Sequence, residues 1–319
     1  MRLRSERFET EILDPRRGFA ATRTAVEVRW DPVTGRTARL LPEGNVPPPV
    51  RHDLAALAEA TRPGCPFCPD AIERETPRFP AALSPDGRIR RGDAVLFPNL
   101  VGYAQWSSVS VYSPALHLLP LDEITPTLLA DNLAAQVEFL QSVDEAWLSV
   151  NANHLPPAGS SIFHPHLQGA ASPVPTNAQR LLAELPPATV REYIALERGG
   201  DRYIGARAGV DWLASYAPAG VGEIRAFGPD VSPAELDDEL VDELAAGIVA
   251  VLRAYAELGF ESFNFALTGP PLILRLVARA YFAPTGRSDV MWSERLHEEA
   301  VTDLAPERFA AHVRRQASP

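Results

Sequence analysis

His164, His166 and Gln168 stand at strict two-residue spacing at the end of the stretch Asn151–Gln168, N-A-N-H-L-P-P-A-G-S-S-I-F-H-P-H-L-Q. Residues two apart in an extended chain point to the same face, so two imidazoles and an amide would line one surface. Gly159, Ser160 and Ser161 lead into them, offering backbone N–H groups and hydroxyls of the kind that hold phosphate oxygens. Pro165 lies between the histidines and has no N–H to give to a sheet ladder, so this strand is expected to be an edge or to end there. An isolated H-x-H is more often a pair of structural histidines, because His is intermediate in burial. The adjoining loop and Gln168 shift the balance towards chemistry.

The chain has only two cysteines, Cys65 and Cys68, spaced C-P-F-C after Arg62-Pro63-Gly64. A disulfide framework needs more, and the compartment is expected to be reducing. Two thiolates at this spacing can bind one metal from a knuckle, but they supply half of a tetrahedral zinc site. A redox pair competes, although it calls for a helix start in a βαβ context that this Pro-rich region does not offer. His117, in S-P-A-L-H just after a strand, gains meaning as a third ligand beside the cysteines.

The whole chain bounds these readings. Its 319 residues, 46% apolar and 22% charged, make one large or two ordinary soluble domains. No apolar run is long enough to span a bilayer, and the N-terminus lacks a secretory apolar region, so a cytoplasmic protein is expected. The net charge of −11, with no basic run interleaved with aromatics, argues against nucleic acid. Every basic side chain is Arg. Any clamp on phosphate must then use guanidinium, and no lysine chemistry is available.

The elements that must position these residues can be read in part. Thr24–Trp30 alternates as a strand, and Asp31–Gly35 is a turn signal into Arg36–Leu41. Residues 94–99 and 108–113 read as strands. From Thr125 to Trp147, Leu129, Leu133, Val137 and Leu140 recur at helical spacing after a Thr-Pro start, and the helix feeds a strand at Leu148–Val150. Pro173 and Pro175 mark a domain boundary. Beyond it a helix is expected over Asn177–Leu185, turn-rich material through Gly228, and a long helix over Pro233–Leu258 opened by a Ser232/Glu235 capping box. Its buried side should carry Leu236, Leu240, Leu244, Val251 and Leu258. Strands follow at Ser262–Leu267 and Leu272–Phe282, the second placing Arg275 and Arg279 on one face. The recurring strand-helix-strand order suggests a duplicated unit.

With C-P-F-C, Asn99, S-P-A-L-H and N-x5-G-S-S-I-F-H-P-H-L-Q in hand, residues 60–170 resemble the galactose-1-phosphate uridylyltransferase family, a nucleotidyltransferase branch of the histidine-triad superfamily. Residues 281–288 and 303–307 are similar to that family's closing segment. The resemblance implies an α+β histidine-triad-like fold in two related halves, each an antiparallel sheet with packed helices: a catalytic half over residues 1–175 and a divergent half over 176–319. It implies structural zinc on Cys65, Cys68, His117 and His164, with His166 as the nucleophile on the α-phosphorus of a nucleotide sugar. Gln168 would hydrogen-bond the phosphoryl oxygens, Asn153, Gly159, Ser160 and Ser161 would hold the phosphates, and Asn99 would lie by the base or ribose. A nucleotide sugar and a sugar phosphate are the implied partners, and a homodimer the implied assembly. A covalent nucleotidyl-His predicts ping-pong kinetics.

The chain also departs from that family. Val277-Ala278-Arg279-Ala280-Tyr281 stands where the uridylyltransferases carry an H-x-H pair for a second metal, so no second site is expected. The hexose-contacting segment is shortened around Met291–Glu298. Leu167 is similar instead to the H-x-H-L-Q of dinucleotide phosphorylases, which keeps transfer to inorganic phosphate as an alternative. A noncatalytic nucleotide-binding protein is a second alternative.

Overall fold

The computed structural model describes residues 1–282 and 285–317; Ala283 and Pro284, within the expected closing segment, lie outside the described residues. The first half runs β1 (Arg4–Asp14), β2 (Ala20–Trp30), β3 (Thr37–Leu40), α1 (Leu54–Thr61), α2 (Ile72–Glu75), β4 (Ile89–Arg91), β5 (Ala94–Pro98), β6 (Trp106–Val111), α3 (Pro126–Gln141), β7 (Trp147–His154) and β8 (His166–Ser172). The second runs α4 (Asn177–Ala183), α5 (Thr189–Glu197), β9 (Tyr203–Arg207), β10 (Val210–Ala214), β11 (Ile224–Phe227), α6 (Asp238–Glu257), β12 (Ser262–Thr268) and β13 (Ile273–Arg279). It closes with β14 (Tyr281–Phe282), β15 (Arg287–Ser288), α7 (Trp292–His297), β16 (Ala300–Thr302) and α8 (Pro306–Ala317).

Ten of these strands form one antiparallel sheet in the order β4-β5-β6-β8-β7-β12-β13-β11-β10-β9. Each half supplies five neighbouring strands, and the halves meet where β7 pairs with β12, from Phe263 opposite His154 to Thr268 opposite Ser149. The fold is α+β, as expected. β8 is an interior strand between β6 and β7, so it is not an edge. Nor does the strand end at Pro165: it begins one residue after it, at His166, which leaves His164 outside the strand.

Alternation along the strands divides the sheet into two faces. In β8, β12 and β13, Leu167, Ala171, Phe263, Phe265, Leu267, Leu274 and Leu276 are buried on one face. They pack with Leu129, Leu133 and Phe139 of α3 and Leu244, Ile248 and Leu252 of α6 in a single core. The opposite face is half-buried and polar, carrying His166, Gln168, Asn151, Asn153, Asn264, Arg275 and Arg279. A sheet with one wet face is the ordinary outcome of antiparallel pairing, and here it provides the platform for a site.

The N-terminal hairpin packs against the second half. Val33 joins Tyr193, Leu213, Phe227 and Ile273 in a small core over the far end of the polar face. Buried Arg225 donates two hydrogen bonds to buried Asp31, at 3.0 and 2.7 Å, and β16 pairs in parallel with β3. Only Glu27–Trp30 of β2 pairs with β3, so the rest of β1 and β2 projects as a two-stranded arm, exposed along β1 from Arg4 to Leu13. No helix among the described residues is long and apolar enough to cross a membrane.

Three strands, β9 to β11, and α5 occupy the 186–228 region expected to be turn-rich. The expected helix over Pro233–Leu258 is also split: the Ser232/Glu235 capping box forms, but it closes a 3-10 turn. Asp237 then caps α6 by accepting from Leu240 N at 2.9 Å.

Candidate active site and metal cluster

C-P-F-C sits in the turn between α1 and α2, His117 follows β6, and His164 precedes β8. Their four ligand atoms come together in a buried group, all within 4.8 Å of one another. Cys68 Sγ lies 3.3 Å from His117 Nδ1 and 3.9 Å from His164 Nδ1, and Cys65 Sγ lies 3.7 Å from His164 Nδ1. Metal–ligand bonds of about 2.0–2.3 Å put tetrahedral donors about 3.3–3.8 Å apart, so these three separations are close to those of donors that share one ion.

The surroundings select the metal-binding tautomers. His164 Nε2 donates to the Ser113 carbonyl at 2.9 Å. The Thr61 hydroxyl donates to the Leu57 carbonyl at 2.6 Å, so its oxygen accepts from His117 Nε2, 2.9 Å away. Both Nδ1 lone pairs are therefore left facing the sulfurs, as in metal-binding histidines oriented from their far side. Burial pushes His164 down to about 4, against the opposing effect of the Ser113 carbonyl, and it lowers His117 too. Burial and neighbouring Cys65 push the Cys68 thiol up to about 11. Neutral imidazoles and a Cys68 thiol that ionises only beside a positive charge suit a dication.

His166 opens β8 on the polar face. Its Nδ1–H donates to the His164 carbonyl at 2.8 Å, which fixes the tautomer and leaves the Nε2 lone pair free. Burial lowers its pKa, with that carbonyl acting in the opposite sense, so the ring is neutral near pH 7. Phe67, between the two cysteines, packs edge-on against both His164 and His166, with ring centroids 5.9 and 5.6 Å away. Nucleophile candidate and metal cluster thus share one backbone carbonyl and one aromatic wall.

Gln168 lies two residues along the same face and pairs across to Asn151 of β7. Asn153 accepts at its Oδ1 from Asn264 Nδ2 at 2.6 Å. The loop between β7 and β8 starts at Leu155, whose φ of 65° is a strained conformation for a side-chain-bearing residue, and Gly159 takes φ 88°. The Ser160 hydroxyl donates to the Ile162 carbonyl at 2.6 Å and so stiffens the loop, whereas Ser161 is exposed. Asn99 lies just beyond β5, with β6 between it and β8, and its Oδ1 accepts from Val101 N at 3.2 Å. The structure gathers His166, Gln168 and Asn153 on one face and leaves Asn99 towards its edge. Asn151, Asn264 and Phe67 share these surroundings, though no motif spacing singles them out; the polar alternation of S-F-N-F-A-L-T is the local signal for Asn264.

No family model matches the chain. Among solved structures, it is similar to an ADP-glucose phosphorylase from Arabidopsis thaliana with bound ADP-glucose (18% identity, TM-score 0.66, 91% of this chain and 98% of that one). It is similar also to a GalT-like protein from the same plant (18%, 0.65, 90% and 98%) and to a uridylyltransferase (19%, 0.60, 91% and 98%). The chain therefore shares the fold of these GalT-like, ADP-glucose phosphorylase and uridylyltransferase structures. An uncharacterised protein of Archaeoglobus fulgidus is 31% identical over 97% of both chains, and the chain belongs to one family with it.

Proposed function

We propose that the protein is a cytoplasmic, homodimeric nucleotidyltransferase that moves a nucleoside monophosphate between a nucleoside diphosphate sugar and a sugar 1-phosphate. The observation that carries this reading is the single free lone pair of His166, on Nε2, at the head of a polar face, with Nδ1–H already held by the His164 carbonyl. Nε2 attacks the α-phosphorus; the bond to the bridging oxygen breaks, and the sugar 1-phosphate leaves with its electron pair. The positive charge that develops on the imidazole is offset through the Nδ1–H bond to the carbonyl. An incoming sugar 1-phosphate oxygen then attacks the same phosphorus, and His166 leaves. Gln168 would donate its amide to the phosphoryl oxygens; being neutral and non-acidic, it cannot deliver a proton to the intermediate. Asn153 and the Gly159–Ser161 loop would hold the phosphates, and Asn99 the base or ribose.

The donor set of Cys65, Cys68, His117 and His164 fits zinc, which when bound would serve as a structural anchor for the entry to β8. A second reading, a phosphorylase passing the nucleotidyl group to inorganic phosphate, is favoured by Leu167 between His166 and Gln168. Similarity in fold to an ADP-glucose phosphorylase supports the same alternative.

The test is single-turnover labelling with donors carrying label at the α-phosphate. The expected result is one acid-labile label per chain, lost in His166→Ala. Label that persists in that variant, or its absence from the wild type across a panel of nucleotide sugars, would refute the covalent route. Chasing labelled protein with phosphate against hexose 1-phosphate separates the two acceptors.

A further inference from the structure

Asn153 can serve a phosphate only with its amide turned one way, and the groups that turn it lie in the other half of the chain. Arg279 of β13 is clamped by Asp289, through Nε to Oδ2 at 2.7 Å and Nη2 to Oδ1 at 3.0 Å. Its Nη1 donates to Asn264 Oδ1 at 2.5 Å. A guanidinium has donors and no acceptor, so the Asn264 oxygen must face Arg279. The Asn264 Nδ2 must then face the opposite way, towards Asn153 Oδ1 at 2.6 Å and the carbonyls of Ala158 and Ala152 at 3.0 and 3.1 Å. With its oxygen occupied, Asn153 is left with its Nδ2 donors for the open face.

We propose that Arg279 and Asn264 act as positioning residues that set the polarity of the phosphate site: a fixed donor on β13 orders the Asn264 amide, which orders the Asn153 amide. This rests on the functional reading above. Phosphate oxygens only accept, so an inverted Asn153 would meet them with its carbonyl. The same Asn264 amide holds the Ala158 carbonyl, at the start of the Gly159–Ser161 turn, so one side chain orients both parts of the site.

Two measurements test the relay. The first is the side-chain amide NMR signal of Asn153, identified by its loss in Asn153→Ala. In the wild type its protons should exchange rapidly with water. In Asn264→Asp, where position 264 only accepts, Asn153 must donate inwards, and exchange should slow at least tenfold. Unchanged exchange would overturn the relay. The second measurement is KM and kcat with ADP-glucose and UDP-glucose. Arg279→Met should raise KM at least tenfold, and Arg279→Lys, which keeps a donor, should recover much of it at a matched melting temperature. Equal KM values in the two variants would count against the relay. If Asn264→Asp does not fold, the exchange comparison is made between Arg279→Met and Arg279→Lys, with the same two outcomes. A wild type that neither binds nor turns over a nucleotide sugar refutes the functional reading, while the exchange measurement still decides the relay.

Discussion

His154 follows Asn153 directly, yet it points through the sheet to the opposite, helix-covered side. There it stacks on Phe263, with ring centroids 5.2 Å apart and planes 16° apart, and its Nε2 has no hydrogen-bond partner among the described residues. Burial, aided by the proximity of His166, pushes its pKa down to about 4, with only the Leu119 carbonyl opposing. The unfolded chain therefore takes up this proton first, near the ordinary value of about 6.5. Stability is intact above that value and is lost as the pH falls towards 4, at a cost of about 3 kcal/mol for this one group. Urea unfolding at pH 7 and pH 4.5 should show that loss in the wild type, and in His154→Leu the difference between the two pH values should shrink by a comparable amount. An equal pH dependence in both proteins would mean that other groups govern the acid limit.

At the scale of the element, α3 is what holds β8 flat beneath the site. Buried Gln136 of α3 accepts from the Ser108 hydroxyl at 2.8 Å and donates to the Ser110 hydroxyl at 2.7 Å, and Asn132 donates to the Ser110 carbonyl at 3.2 Å. These groups sit directly over Gly169, where a Cβ would run into Gln136 Oε1 and Ser108 Oγ. Gly169→Ala must therefore lift the helix or shift the strand next to Gln168. Overpacking of this kind should cost about 1–3 kcal/mol. It should also slow the nucleotidylation proposed for His166; a variant as stable and as fast as the wild type would show that the contact yields freely.

The same elements show how much the sequence disclosed. The helical spacing of α3 and its Thr125 cap, which accepts from Leu128 N at 3.2 Å, were legible because both signals are local. So were Cys65, Cys68, His117 and His164 as a set, once a family resemblance joined three separated motifs. Strands β10 and β11 were not, because these short strands are buried on both faces, Asp211 and Arg225 included, and buried Glu223 stands just before β11, so no alternation of apolar and solvated positions marks them. Those charges are accommodated by partners far along the chain, Asp31 for Arg225 and Arg275 for Glu223. The Asn153–Asn264–Arg279 chain was hidden for the same reason. It exists only through the registers of β7 on β12 and β12 on β13, which no local pattern encodes.

For the whole molecule, the seam between β7 and β12 makes the two halves one sheet over one core. Neither half can lose its strands without exposing the edge and apolar face of the other, so thermal unfolding should be a single transition by both near-UV circular dichroism and calorimetry. Removing bound metal with a chelator should move that entire transition to lower temperature, because the cluster ties α1, the His117 loop and the entry to β8 together. Two separated transitions, or one indifferent to chelation, would contradict this picture.

The projecting arm carries a different consequence. Along β1 a row of backbone N–H and C=O groups is left open, a template on which a foreign strand could add. Arg4, Glu6, Arg7, Glu9 and Glu11 stud that edge, and β1 is exposed at each of them. A neighbouring apolar strand would have to desolvate these charges and offer them no partner of its own. Copies stacked in register would place identical charges about 4.8 Å apart. The charges of the arm thus oppose strand addition at an open edge that also exposes Phe8, Ile12 and Leu13, and they do so with side chains that need not contribute to the stability of the fold.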